Sequence, residues 1–319
     1  PTFENTIHAM QATGRDLDKV LSVFYTVSGA DSNPAREALM REFSPKLSAH
    51  TSEIIANEAL FHRIDSLWKE RHELGISAEE ARVLMLTHRN FVRSGAALKG
   101  AAKERMKDIK SRLSILGTDF SQNLLADERD WFMPLTEADM EGLPDFLISA
   151  AKAAAQEKGQ SGAIITLSRS VVVPFLQFSP RRDLREKAYA AWAARGANGG
   201  KTDNRAIAQE MLALRQEMAD LLGYPDFASF KLETEMAKTP QNVRQFLTDV
   251  WVPAKERADQ DAQILTEMMH SDGLSGQLEK WDWRYYAEKR RKSEYDLDEA
   301  EVKPYFHLDQ MINAAFDCA

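Results

Sequence analysis

Five short stretches of this sequence hold residues that could do chemistry, and each breaks its pattern at an identifiable position. His72-Glu73-Leu74-Gly75-Ile76 comes nearest to a metal-binding helix. Such a helix needs His at i and i+4, so that both imidazoles face one zinc and the Glu after the first His can take a proton from water. Ile76 stands where the second His is required, and His72-Glu73 reads as a surface dipeptide. His62, Asp65, Glu70 and His72 are expected along one helix, but ten residues separate the two His, nearly three turns, too far for one ion. Gly196-Ala197-Asn198-Gly199-Gly200-Lys201-Thr202 resembles a phosphate loop. Arg195 occupies the position of its first Gly, and the stretch follows a helical pattern where a phosphate loop follows a strand, so it reads as a flexible helix connection. Gly159-Gln160-Ser161-Gly162 falls short of Gly-x-Ser-x-Gly. Lys289-Arg290-Arg291-Lys292 is flanked by Glu288, Glu294, Asp296 and Asp298, which cancel its field, and it reads as a solvated helix face. No catalytic, metal-binding or substrate-binding residue is therefore named from the sequence.

The chain carries a net charge of −8 and a pI of about 5.5, which argues against nucleic acid or an anionic membrane as the main partner. Its one cysteine, Cys318, excludes an internal disulfide framework and fits a reducing compartment. No signal peptide and no membrane-spanning apolar run is present, so a cytoplasmic location is expected.

The pattern is mainly α. Leu17, Val20, Leu21 and Phe24 lie at helical spacing, and 28–34 is a run of turn formers. Ser44-Pro45 reads as an N-cap with Pro at N1, opening a helix through Leu47, Ile54 and Ile55 that Asn57 breaks. Ser77-Ala78-Glu79-Glu80 predicts a capping box ahead of Leu86 and Phe91. Met106, Ile109, Leu113, Leu116 and Phe120 form a 3/4 seam expected to pair with the helix at 78–98 or a neighbour, as in long antiparallel helices. Asp130 to Leu135 and Gly162 to Leu167 look extended, with a cap at Thr136 to Asp139 and a helix from Pro144 to Lys158 between them. Val171 to Phe178 is ambiguous: three Val favour a strand, while Pro174 allows only an edge strand or a short helix start. Ser179-Pro180 starts a helix through Leu184, Ala188 and Trp192. Ile207, Met211, Leu214, Met218 and Leu221 form a second seam. Thr239-Pro240 caps a long helix with Val243, Phe246, Leu247, Val250 and Trp251, which Pro253 should kink and Ser271-Asp272-Gly273 should end. These patterns divide the chain into an N-terminal helical region, 1–129, a small β/helix insert, 130–178, and a second helical region, 179–319.

Trp281 to Phe306 sets aromatic residues among dense charge. Asp282 stands at an N-cap position, Glu288 and Lys292 form an i,i+4 pair, Asp296 and Asp298 open a turn, and Pro304 closes the next helical run. On those grounds alone the stretch is a packing element of helix and return loop.

The same residues carry a family resemblance. Trp281-Asp282, Tyr285-Tyr286-Ala287-Glu288-Lys289, Tyr295-Asp296-Leu297-Asp298 and Lys303-Pro304-Tyr305-Phe306 resemble the thimet-oligopeptidase-like zinc metallopeptidases, nearest the oligopeptidase A and peptidyl-dipeptidase branch. The likeness extends back through LLGYPDFASFKLETEMAKTP, 221–240, to PTFENTI at the start, and so covers essentially the whole chain. It implies a hydrolase of short peptides in a larger two-lobed clam-shell fold whose channel excludes folded proteins. It implies zinc held by two His of a His-Glu-x-x-His helix and a downstream Glu. Those parts are not in these residues. The chain opens on Pro1, and the stripe of Leu308, Met311, Ile312, Ala315 and Phe316 runs to Ala319 without Gly, Asn or Pro. The expectation is therefore a piece of a longer protein: an N-terminal portion that forms a channel wall, is inactive alone and binds no zinc itself, with the missing C-terminal half as a possible partner. The alternative is a non-enzymatic helical module that binds a peptide or a protein.

Overall fold

Helix boundaries follow the capping chemistry of the sequence more closely than its proline positions. The computed structural model describes residues 1–31, 33–295 and 302–319. The residues divide into two compact units, one of Pro1–Arg112 with Leu214–Lys231, the other of Leu113–Ala213 with Leu232–Ala319.

The first unit begins with a π-helical turn, Glu4–His8, that runs into α1 (Ala9–Ala12). Helices α2 (Arg15–Ala30) and α3 (Pro34–Ala56) follow. The turn expected at 28–34 is shorter than the composition suggests, because Ser28, Gly29 and Ala30 complete α2. Ser44 is not an N-cap. The cap is Asn33, whose side chain accepts from the Arg36 N–H with Pro34 at N1, and the helix continues through Pro45. Pro45 is exposed, so water can satisfy the carbonyl it frees, and the good helix formers on both sides hold the geometry. Asn57 ends α3 as expected and caps α4 (Glu58–Lys69) through the Leu60 N–H. The Ser77–Glu80 capping box opens α5 (Ala78–Arg93) with both reciprocal bonds in place. Ile7, Ile64, Leu67, Leu84 and Phe91 form the core between these elements.

Helix α6 (Gly100–Asp130) has 31 residues. Met106, Ile109 and Leu116 of its predicted seam are buried, while Leu113 and Phe120 are half-buried. Met106 packs beneath Gly95, whose φ of +90° favours glycine and where a Cβ would stand a tight 3.2 Å from the Met106 side chain. α6 thus meets the turn after α5, where Lys110 Nζ also donates to the Ser94 carbonyl at 2.8 Å. Helix α10 (Arg205–Leu221) brings Glu217 into a bidentate pair with Arg105 at 2.6 and 2.7 Å, and α11 (Phe227–Leu232) follows.

The second unit is built on a hairpin and the helices that cover it. Strands β1 (Phe132–Leu135) and β2 (Ala163–Thr166) pair antiparallel, with Phe132 opposite Thr166. Pro134 is tolerated because each strand of a two-stranded ladder keeps an open edge. Thr136 and Asp139 cap each other, as expected. Helix α7 (Asp145–Glu157) ends at Gly159, φ +65°. The ambiguous stretch is helical: α8 (Arg169–Phe178) buries Val171, Val172, Phe175 and Leu176 and leaves the residues between them half-buried. That pairwise alternation is the period of a helix, and burial on one face outweighs the strand preference of three Val. Leu147, Ala151, Ile165, Phe175, Leu176 and Ala188 share this core. Helix α9 (Arg182–Ala193) completes it.

Helix α12 (Pro240–Ser271) is capped by Thr239 through the Asn242 N–H and runs unbroken through Pro253. Its C-terminal part packs Leu265 and Met269 on Tyr286 of α13 (Trp283–Tyr295). The apolar stripe on its N-terminal part is open: Phe246 is 68% and Trp251 65% exposed. Pro304 sits inside a one-turn 3-10 helix, Lys303–Tyr305, and the helical run it was expected to close lies largely outside the described residues. Helix α14 (Leu308–Cys318) forms as expected, with Leu308 and Phe316 exposed. The turn assigned to Asp296 and Asp298 lies outside the described residues.

Two phenylalanines should separate core from surface. Phe175→Ala removes a fully buried ring and is expected to cost about 3–5 kcal/mol. Phe246→Ala should stay within about 0.5 kcal/mol. Urea denaturation of both variants checks the contrast.

Candidate functional site

The stretch singled out by its aromatics centres on a carboxylate. Asp282 is fully buried at the start of α13. Arg182 reaches its two oxygens from α9, Nε at 3.0 and 3.1 Å and Nη2 at 2.8 Å. Arg185, itself 1% exposed, donates Nη2 to Oδ1 at 2.9 Å, Nε to the Trp281 carbonyl at 3.1 Å and Nη1 to the Ser179 carbonyl at 2.7 Å. The Glu279 N–H supplies a further bond to Oδ2 at 3.1 Å. The position is that of an N-cap, but the carboxylate turns back to Glu279 and across to α9. That is a correction to the local capping read from the sequence.

Burial alone would push the Asp282 carboxyl up. The bonds from Arg182, Arg185 and the Glu279 N–H outweigh it and hold the carboxyl below the usual range. Rings close around the node: the Arg185 guanidinium lies 4.2 Å from the Tyr285 centroid, Arg182 6.0 Å from Trp281, and Arg284 5.9 Å from Trp192. The indole N–H groups of Trp192 and Trp281 are buried without a partner among the described residues, so these rings are held by their faces. Tyr286 is 1% exposed, and burial followed by the charge of Asp272 raises its phenol to about 12, so it serves as a neutral core residue.

The basic run is paired more than solvated. Lys289 meets Asp272, Arg290 donates to Asp261 at 2.7 Å and Glu294 at 2.6 Å, and Arg291 donates to Glu288 at 2.6 and 2.8 Å. The expected cancellation of charge holds, while the solvated face does not: Lys289, Arg290 and Arg291 are half-buried and only Lys292 is exposed. Glu288 is bonded to Arg291 and also accepts from Gln177 at 2.8 Å.

The phosphate-loop-like stretch does hold an anion, and it is the chain's own. Asp127 of α6 accepts from the Gly196 N–H at 2.7 Å, Asn198 Nδ2 at 2.9 Å and the Thr202 hydroxyl. Asp203 accepts from the Gly199 N–H at 2.8 Å, and the Arg205 guanidinium beside it holds its carboxyl well below the ordinary range. The connection is therefore pinned to α6 by Asp127.

The histidines stand apart. His72 lies in the turn after α4, not on it. Asp65 of α4 faces His88 Nε2 of α5 at 3.2 Å, with the imidazole stacked on Trp68 at 5.0 Å, and pairs with Lys69 as well. Sequence spacing gave no sign of that 23-residue pairing, nor of the links from Arg182 and Arg185 to Asp282 about a hundred residues on. The one local hint was an acid enclosed between two Trp. His270 faces the Gly276 carbonyl at 3.0 Å. Among the described residues no three His, Cys, Asp or Glu side chains come together as metal ligands, so the donor set present does not fit a tetrahedral zinc centre.

A helical scaffold with one hairpin and a buried Arg–Asp–aromatic node is the class this geometry defines. The model of peptidase family M3 matches residues 175–317. The chain is 33% identical to the dipeptidyl carboxypeptidase of Escherichia coli (strain K12), over 98% of its own length and 46% of that protein. It is 29% identical to the oligopeptidase A of Salmonella typhimurium, over 99% of its length and 47% of that protein. Against saccharolysin of Saccharomyces cerevisiae the identity is 21%, over 99% and 45%. The chain belongs to peptidase family M3 as a thimet-oligopeptidase-like member. It spans a little under half the length of these curated relatives.

Removing the central carboxylate tests the node. Asp282→Asn leaves the Arg185 charge buried without its partner and is expected to cost about 3–5 kcal/mol at pH 7. A depressed carboxyl stabilises fully above its unfolded pKa of about 3.9, and that contribution is lost as pH falls through the lower folded value. The gap between wild type and Asp282→Asn should therefore narrow below about pH 4, as read by urea denaturation across pH.

Proposed function

We propose that this chain is the substrate-holding scaffold of a zinc-dependent oligopeptidase or peptidyl-dipeptidase that hydrolyses short peptides. It forms a wall of the substrate channel and does not itself break bonds. The observation that carries this reading is the match over 98% of the chain to a dipeptidyl carboxypeptidase, joined to a sequence without a His-Glu-x-x-His string. Zinc and the general base are supplied by other sequence, in the same polypeptide or in a second one that associates with it. The open apolar stripes of α12 and α14 suit such an association. A cytoplasmic setting is supported by the single cysteine, and no helix among the described residues is long and apolar enough to cross a membrane.

The second reading is a non-enzymatic module that binds peptides or a partner protein. It is favoured by the scattered histidines and by the lack of a metal-ligand group among the described residues. An encoding frame without His-Glu-x-x-His would decide for it.

The test compares two polypeptides with a bradykinin-sized peptide, added zinc and mass-spectrometric product analysis. The 319-residue chain should show no steady turnover. A polypeptide of the relatives' length that contains it together with the zinc helix should cleave the peptide and stop on chelation. Chelator-sensitive turnover by the shorter chain, or none by the longer one, overturns the proposal.

A further inference from the structure

Helices α12 and α13 lie side by side and leave an open cleft of about 240 Å³. Its floor is apolar, with Leu265 buried and Ala287 half-buried, and Trp283, which also lines it, is 37% exposed. The charged groups around it are not equivalent. Asp261 accepts from two arginines, Arg290 Nη1 at 2.7 Å and Arg257 Nε at 3.1 Å. The Arg290 side chain is 19% exposed and is also tied to Glu294, whereas that of Arg257 is 64% exposed. The bond from Arg290 is the first cause of the lowered Asp261 carboxyl, so Asp261 keeps its main partner if Arg257 leaves.

An exposed ion pair is worth little, and a guanidinium loses little by exchanging one carboxylate for another. Arg257 can therefore turn its fork to an anion in the cleft without stranding a charge. A planar fork favours a carboxylate with two oxygens, while an indole beside an apolar floor favours a flat or branched apolar group next to it.

We propose that the α12–α13 cleft is a binding site for small aromatic or apolar carboxylates, with Arg257 on the carboxylate and Trp283 against the side chain. The last residue of a peptide is such a molecule, so the natural ligand rests on the peptide reading above. Binding is measurable without hydrolysis.

The experiment titrates the 319-residue chain with N-acetylphenylalanine, N-acetylphenylalaninamide and acetate, following indole N–H signals by heteronuclear NMR. The acid should shift the Trp283 signal, identified by its loss in Trp283→Phe. The amide and acetate should each bind about fivefold more weakly or worse, and Arg257→Gln should weaken the acid by a similar factor. Arg257 is exposed, so that variant folds, and an unchanged melting temperature confirms it. Equal binding of acid and amide, equal binding of acetate, or an Arg257→Gln variant that binds like wild type would each overturn the site. If the acid binds as described while the longer polypeptide cleaves no peptide, the cleft stands and the peptidase reading falls.

Discussion

The second unit depends on one carboxylate that water cannot reach. Asp282 has no exposure, and neither does the guanidinium plane of Arg185 beyond 1%. Taking both charges out of water is costly, and attraction offsets that cost only if every lone pair and N–H finds a partner. Here the fork of Arg185 is divided among Asp282, the Trp281 carbonyl and the Ser179 carbonyl, and the carboxylate is completed by Arg182 and the Glu279 N–H. The arrangement sets geometry more than it adds stability. It fixes the entry of the chain into α13 against the start of α9, and with it the placing of Trp281 and Tyr285 against the two guanidinium groups.

The same economy explains why so much polar sequence in this chain does no visible chemistry. The glycine-rich loop at 196–202 presents donors to an anion, but Asp127 fills it from α6. The basic run of α13 could hold an acidic ligand, yet Asp272, Asp261, Glu294 and Glu288 reach it first. His88 is enclosed by Asp65, Trp68 and Phe61. Among the described residues, apolar surface is left open in the α2–α3 groove of Val20, Val23, Phe24 and Val27, the α12 stripe and the α14 stripe. In the α12–α13 cleft an exposed arginine stands next to apolar surface, and its pairing is weak enough to exchange.

Legibility followed the range of the interaction. The capping box at Ser77, the break at Asn57, the cap at Thr239 and the stop at Gly159 are written within three or four residues, and the structure has each of them. Prolines misled where they were read as boundaries. Ser44-Pro45 looked like a helix start, yet Asn33-Pro34 eleven residues earlier already supplied one, and an exposed helix absorbs a missing N–H into water. At Val171 to Phe178 the β-branched residues and the proline pointed different ways, and only packing against the hairpin core chose the helix. Asp282 was placed correctly and its role misjudged, because a capping carboxylate and a buried ion-pair centre look alike until α9 is brought beside it.

The sequence by itself determined the mainly helical class, the hairpin insert, most helix ends and the family likeness, since each rests on local propensity or on strings of residues read in order. The tertiary structure decided which charges are spent internally and which apolar stripes are buried. Those outcomes depend on side chains a hundred or more residues apart meeting at hydrogen-bond distance, and the free energy of such a meeting comes from shared desolvation, which no local pattern records.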